Sequence, residues 1–161
     1  MKEIQITRGC VALVDDEDFE RLNRYHWCYH GNGYAARGYH ENGKVHIEKM
    51  HQAIIGAAPK GYVIDHINGN KLDNRRSNLR FVTHQQNTFN SKPKTNVSGR
   101  LCRSRFKGVT WRGDRHKWRS CITIDRKRHY IGLYDTEEEA AIAYNNAAII
   151  LFGEYANLND I

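Results

Sequence analysis

Residues 61–87 read Gly61-Tyr-Val-Ile-Asp65-His66-Ile-Asn-Gly-Asn-Lys-Leu-Asp-Asn-Arg-Arg-Ser-Asn78-Leu-Arg-Phe-Val-Thr-His-Gln-Gln-Asn87. Gly61–His66 is a short apolar run ending in a polar pair, the pattern of a strand, and Leu79–Val82 is a second such run. Between them lie turn formers, Asn68-Gly69-Asn70 and Asp73-Asn74. Thr83 with Gln86 fits a capping box, so a helix is predicted to start there. Strand, long loop, strand and helix make a ββα unit.

Asn78 follows His66 after 11 residues, and Asn87 follows Asn78 after 8. A carboxylate at Asp65 and an amide oxygen at Asn87 are hard donors, suited to magnesium or manganese rather than zinc. Magnesium keeps several waters and shares its shell with substrate phosphate, so two protein ligands suffice. A neutral histidine alongside can deprotonate a water near neutral pH. Such a set can hydrolyse a phosphodiester. The residues alone leave the alternative open: the asparagines and Asp73 also serve as turn residues, and a strand-end histidine also serves as a structural one.

Downstream, Ser91–Ser104 is polar, lacks periodicity and contains Pro93 and Gly99, which marks a linker. Residues 106–112, 117–124 and 128–134 read as three strands, with a turn at Asp125-Arg-Lys. Trp118, Ser120, Ile122 and Ile124 share one face of the middle strand, and Arg119, Cys121 and Thr123 the other. In the third, His129, Ile131 and Leu133 oppose Arg128 and Tyr130. Thr136 and Glu139 make a second capping box, and Ala140, Ala143, Tyr144, Ala147, Ala148 and Leu151 follow at helical spacing up to Gly153. Small alanines let this helix sit close on the sheet, leaving the other face open.

That open face is basic. Residues 92–134 hold thirteen Lys and Arg against Asp114 and Asp125, so the segment is more positive than the whole chain at +7. Phe106, Trp111, Trp118 and Tyr130 interleave these charges, which suits phosphate contact and stacking. Upstream, Ile4-Gln-Ile6 and Val11–Val14 read as strands, and Asp15–Asp18 starts a short helix. Gly31-Asn-Gly33 and Asn42-Gly43 are hairpin turns, and Met50–Ile55 is a helical turn stopped by Gly56. His51 lies just before the motif, within reach of a phosphate or in a structural role.

The run 61–87 resembles HNH endonucleases of the phage homing type. The resemblance implies His66 as catalytic base, Asn78 as the second catalytic residue, and Asp65 and Asn87 as ligands of one Mg2+ or Mn2+ ion. Many relatives carry His where Asn87 stands, and His84 lies one turn earlier on the same helix. Residues 104–159 resemble the AP2 DNA-binding domain through Phe106-Lys-Gly-Val109, Tyr130-Ile-Gly-Leu-Tyr134, Thr136-Glu-Glu-Glu-Ala-Ala141 and Ala156-Asn-Leu158. That resemblance implies a three-stranded sheet in the major groove of double-stranded DNA. Its groove-facing positions fall on Lys107, Thr110, Arg112, Cys121, Thr123, Arg128 and Tyr130.

The expected architecture is α+β: an HNH domain with a β-rich extension over 1–90, a basic linker over 91–103, and an AP2-like domain over 104–161. The expected DNA contacts are Lys107, Arg112, Arg119, Arg128 and Tyr130, with Lys92, Lys94 and Arg103 from the linker. No signal or apolar span is apparent, so the expectation is a cytoplasmic monomer with no membrane and no small-molecule cofactor. Cys10, Cys28, Cys102 and Cys121 lack zinc-knuckle spacing and read as reduced thiols. The expected function is a metal-dependent DNA endonuclease. The alternative is a DNA-binding regulator with an inactive nuclease core.

Overall fold

A computed structural model describes residues 1–92, 96–97, 100–101 and 103–161, the four in the middle by backbone alone. The chain is α+β and divides into two compact units, Met1–His84 and Gln85–Ile161.

The first unit opens with a hairpin of β1 (Lys2–Gln5) and β2 (Val11–Val14), which turns Ile4, Ala12 and Val14 inward. Three acids start α1 (Asp16–Leu22), where negative charge suits the positive end of the helix. A meander follows: β3 (Cys28–Tyr29), β4 (Ala35–Glu41) and β5 (Lys44–Lys49). Asn42 and Gly43 both take positive φ, the geometry of a tight hairpin turn. After α2 (Met50–Ile55), β6 (Tyr62–His66) pairs antiparallel with β7 (Leu79–Thr83). Ile4, Leu22, Trp27, Met50, Ile54 and Leu79 form one core, and Trp27 satisfies its indole N–H on the Leu22 carbonyl.

The second unit takes in nearly all of α3 (His84–Phe89), the helix expected to close the ββα motif. The reason is packing. The Phe89 ring stacks on Phe152 at 3.6 Å and joins Ile122, Tyr144 and Ala148. The backbone of β8 (Asn96–Val97) and β9 (Arg100–Leu101) pairs within the expected linker. The main sheet has the order β10 (Val109–Arg112), β11 (Lys117–Ile124), β12 (Lys127–Tyr134), antiparallel throughout. Against it lies α4 (Glu137–Phe152), whose capping box is formed: Thr136 Oγ1 accepts from the Glu139 N–H at 3.2 Å, and Glu139 Oε2 accepts from the Thr136 N–H at 3.1 Å.

Three details depart from the sequence expectations. The first strand of this sheet begins at Val109 rather than at 106, because Gly108 takes φ +78 and turns the chain. A Cβ there would fall 2.1 Å from the Tyr144 ring. Next, the register slips between Ser120 and Cys121, so Gly132 faces Ser120 and Tyr130 faces Cys121. The extra residue, Ile131, stays against α4, and Leu133 moves to the face that carries Arg128 and Tyr130. Finally, α4 buries Phe152 rather than Leu151, continuing the i, i+4 row of Tyr144 and Ala148.

Candidate functional site

Asp65 and His66 end β6, opposite Arg80 and Leu79 of β7. Both are buried, though strand alternation sends them to different sides. Asp65 Oδ2 accepts a hydrogen bond from its cross-strand neighbour, Arg80 Nε, at 3.0 Å. Arg80 therefore sets the orientation of the carboxylate. Sequence reading did not single it out, although it stands on the strand directly before Phe81 with no apolar role.

The loop between the strands is closed by side chains. Asn78 accepts from the Asn68 N–H at 3.0 Å, and its amide donates to Asn68 Oδ1 at 3.0 Å and to the Asp73 carbonyl at 2.8 Å. Arg75 clamps Asp73 with two bonds, at 2.7 and 2.6 Å. The loop is also stitched to β2: Leu13 donates to the Leu72 carbonyl and Asn74 donates to the Leu13 carbonyl, both at 2.8 Å. The N-terminal hairpin thus supports the loop beneath His66.

Asn74, seen in the sequence only as a turn residue, is wholly buried with its Oδ1 3.4 Å from His66 Nε2. Its amide nitrogen donates to the Leu72 carbonyl at 3.1 Å, which fixes the oxygen toward the ring. An oxygen accepts, so Nε2 carries the proton and the neutral ring has its lone pair on Nδ1. Burial pushes the His66 imidazolium below its ordinary pKa, against the opposing pull of Asn74, Asp65 and Asp73. His66 is therefore neutral near pH 7, the form a general base requires. His51 and Tyr34 flank it, with ring centroids 5.2 and 5.9 Å away. His51 Nδ1 is buried without a hydrogen-bond partner among the described residues.

Asp65, His66 and Asn78 lie together in the first unit. Asn87 is exposed on α3, in the second unit, and His84 is the exposed first residue of that helix. The oxygen donors of Asp65 and Asn87 match a hard divalent cation in chemistry. Among the described residues, no cluster of three His, Cys, Asp or Glu side chains is arranged to hold a metal.

In the second unit, the sheet face turned away from α4 carries Thr110, Arg112, Lys117, Arg119, Thr123, Arg128 and Tyr130. Arg112, Arg115, Arg119, Tyr130 and Leu133 line a recess of about 370 Å³. Leu133 enters this lining through the bulge at Ile131. Arg112 is forked on Asp114 at 2.9 and 2.8 Å, and Lys117 pairs with Asp135 at 2.7 Å. Lys107, expected in the groove-facing set, is placed elsewhere: its ammonium is half-buried on the carbonyls of Phe89 and Ser91, at 2.6 and 2.7 Å. Lys92 and Arg103 are exposed, and Lys94 lies outside the described residues.

The family model described as HNH endonuclease matches residues 45–89, and the one described as AP2 domain matches residues 104–154. The chain is 32% identical over 156 residues to an uncharacterized HNH endonuclease of Acanthamoeba polyphaga mimivirus, covering 96% of this chain and 77% of that protein. It is 38% identical over 112 residues to Protein 3.8 of Escherichia phage T7, covering 69% of this chain and 86% of that protein. Over 56 residues it is 45% identical to an ethylene-responsive transcription factor of Arabidopsis thaliana, covering 34% of this chain and 30% of that protein. No solved structure matches the chain.

Proposed function

The chain belongs to the HNH endonuclease family and carries an AP2 domain, and we propose that it hydrolyses phosphodiester bonds in double-stranded DNA, directed by that domain and dependent on magnesium or manganese. The observation that carries this reading is the neutral, oriented imidazole of His66, next in sequence to Asp65 at the end of β6.

Family members generally use divalent metal ions. Here Asp65 and Asn87 would hold one ion, which would neutralise charge on the scissile phosphate and on the departing 3′ oxygen. His66 Nδ1 takes a proton from a water molecule. The resulting hydroxide attacks phosphorus, a new P–O bond forms, and the bond to the 3′ oxygen breaks. The 3′ oxygen gains its proton from solvent, His66 returns its own to solvent, and the products are a 5′ phosphate and a 3′ hydroxyl. Asn74 holds the His66 ring and stabilises its protonated form through the Nε2–H bond. Asn78 keeps the loop closed. Arg80 holds Asp65 in place.

DNA is engaged by Arg112, Arg119, Arg128 and Tyr130 on the open sheet face, with Lys92, Lys94 and Arg103 from the flanking segment meeting phosphates. Thirteen cations in the stretch 92–134 suit a polyanion, and sheet recognition favours the wide major groove of B-form DNA. No helix among the described residues is long and apolar enough to cross a membrane. The proposed setting is the cytoplasm of a bacterial or phage-infected cell, with the protein acting as a monomer. Incubation with duplex DNA and magnesium tests the proposal. Cleavage that stops on chelation and resumes with magnesium or manganese supports it, and cleavage supported by zinc alone contradicts it.

A further inference from the structure

Building on the reading of Asn87 as a metal ligand, we infer that Lys107 and Phe152 are positioning residues of the nuclease, fixing the helix that presents Asn87. The anchoring of α3 lies within the second unit and flanks Asn87 on both sides. Before it, Gln85 Nε2 donates to Asp125 Oδ1 at 2.6 Å. After it, Phe89 stacks on Phe152 with ring planes 9° apart. Asn157 donates its backbone N–H to the Phe89 carbonyl at 3.3 Å and its side-chain amide to the Asn90 carbonyl at 2.9 Å. Lys107 Nζ donates to the Phe89 and Ser91 carbonyls at 2.6 and 2.7 Å, and reaches Thr88 at 3.5 Å.

A helix as short as α3 is marginal alone, so its position follows from what it packs on. The C-terminal carbonyls of a helix form its negative end, where an ammonium is favoured. Lys107 fills that role. Asp125 opens the turn leading to Arg128, so the strand pair carrying the proposed DNA-facing residues also holds α3. The second unit therefore holds, through the side chains of Asp125, Lys107 and Phe152, the helix that carries the proposed ligand Asn87.

The test uses the full-length chain. Lys107→Met keeps the aliphatic stem and removes the ammonium. The magnesium concentration for half-maximal cleavage should rise about tenfold, the lower end of the range for losing a group that orients a ligand. Duplex affinity and its salt dependence should stay as in wild type, and Lys107→Arg should restore part of the metal response. In a His66→Ala background, where DNA stays intact, manganese titrated into the protein–DNA complex and followed by electron paramagnetic resonance should bind about tenfold more weakly with Lys107→Met. Phe152→Leu should act in the same direction and supplies the test where Lys107→Met lowers the melting temperature. Weaker DNA binding with an unchanged metal requirement would make Lys107 a groove residue and overturn the inference. So would no change in either quantity. Asn87→Ala separates the two levels: an unchanged metal requirement there removes the ligand assignment itself, whatever Lys107 does.

Discussion

Asn74 Oδ1 faces His66 Nε2 at 3.4 Å, while the Asn74 amide nitrogen is held by the Leu72 carbonyl at 3.1 Å. The pair leaves Nδ1 of His66 as the nitrogen for the proposed role of base. Asn74→Asp puts a carboxylate at the same place and should raise the pKa of His66. The acid limb of the cleavage profile should then move to higher pH. Asn74→Ser should lower kcat about tenfold, part of the usual contribution of a positioned base, with KM for DNA nearly unchanged. A pH–rate series on both variants checks this, and an unshifted acid limb in Asn74→Asp would remove Asn74 from the mechanism.

Acid should destabilise the first unit earlier than its carboxylates alone would. His51 has its pKa pushed down to about 3, first by burial and then by the nearby His66 and Lys49. In the unfolded chain it titrates near 6.5, so between pH 6.5 and about 3 the unfolded state binds the extra proton. Stability falls with pH through that window, by up to about 1.4 kcal/mol per pH unit from His51. The lowering of His66 has the same sign. Asp73, held down by the Arg75 clamp, loses its stabilisation only below its ordinary value of 3.8. Urea unfolding followed at several pH values should show a shallower slope in His51→Gln. An identical slope would mean that His51 is not buried neutral.

On the sheet face, Asp114 forks Arg112, a proposed DNA contact. Asp114→Ala frees the guanidinium and removes a negative charge, so affinity for any duplex should rise. The salt slope should steepen by up to about one unit. Arg119→Ala and Arg128→Ala should weaken binding, and either should relax base preference if it reads guanine, at about 1–3 kcal/mol. Binding to a preferred and a random duplex at several salt concentrations separates these effects. Weaker binding by Asp114→Ala would place the interface elsewhere.

Much of this was readable in the sequence, because the signals were local. Apolar runs gave β6 and β7, Thr136 with Glu139 gave the start of α4, and Asn42-Gly43 gave the hairpin. What stayed hidden depended on distant partners or on backbone irregularity. Asn74 looks like any turn residue until its amide is locked by Leu72. Parity along β12 could not reveal the slip that moves Leu133 across the sheet. Lys107 stands next to Gly108, whose positive φ breaks the strand that would have aimed it at a groove. The attachment of α3 rests on Phe89 meeting Phe152, which no local pattern announces.

The most direct measurement compares His66→Ala with wild type, scoring duplex binding and magnesium-dependent cleavage of the same DNA. The proposal draws affinity mainly from the basic sheet unit, so binding should stay within about twofold. Cleavage should fall about 100-fold or more, the scale for losing a general base. Cleavage at the wild-type rate would contradict the assignment of His66. An absence of cleavage in the wild type, with binding intact, would point to a DNA-binding regulator with an inactive core.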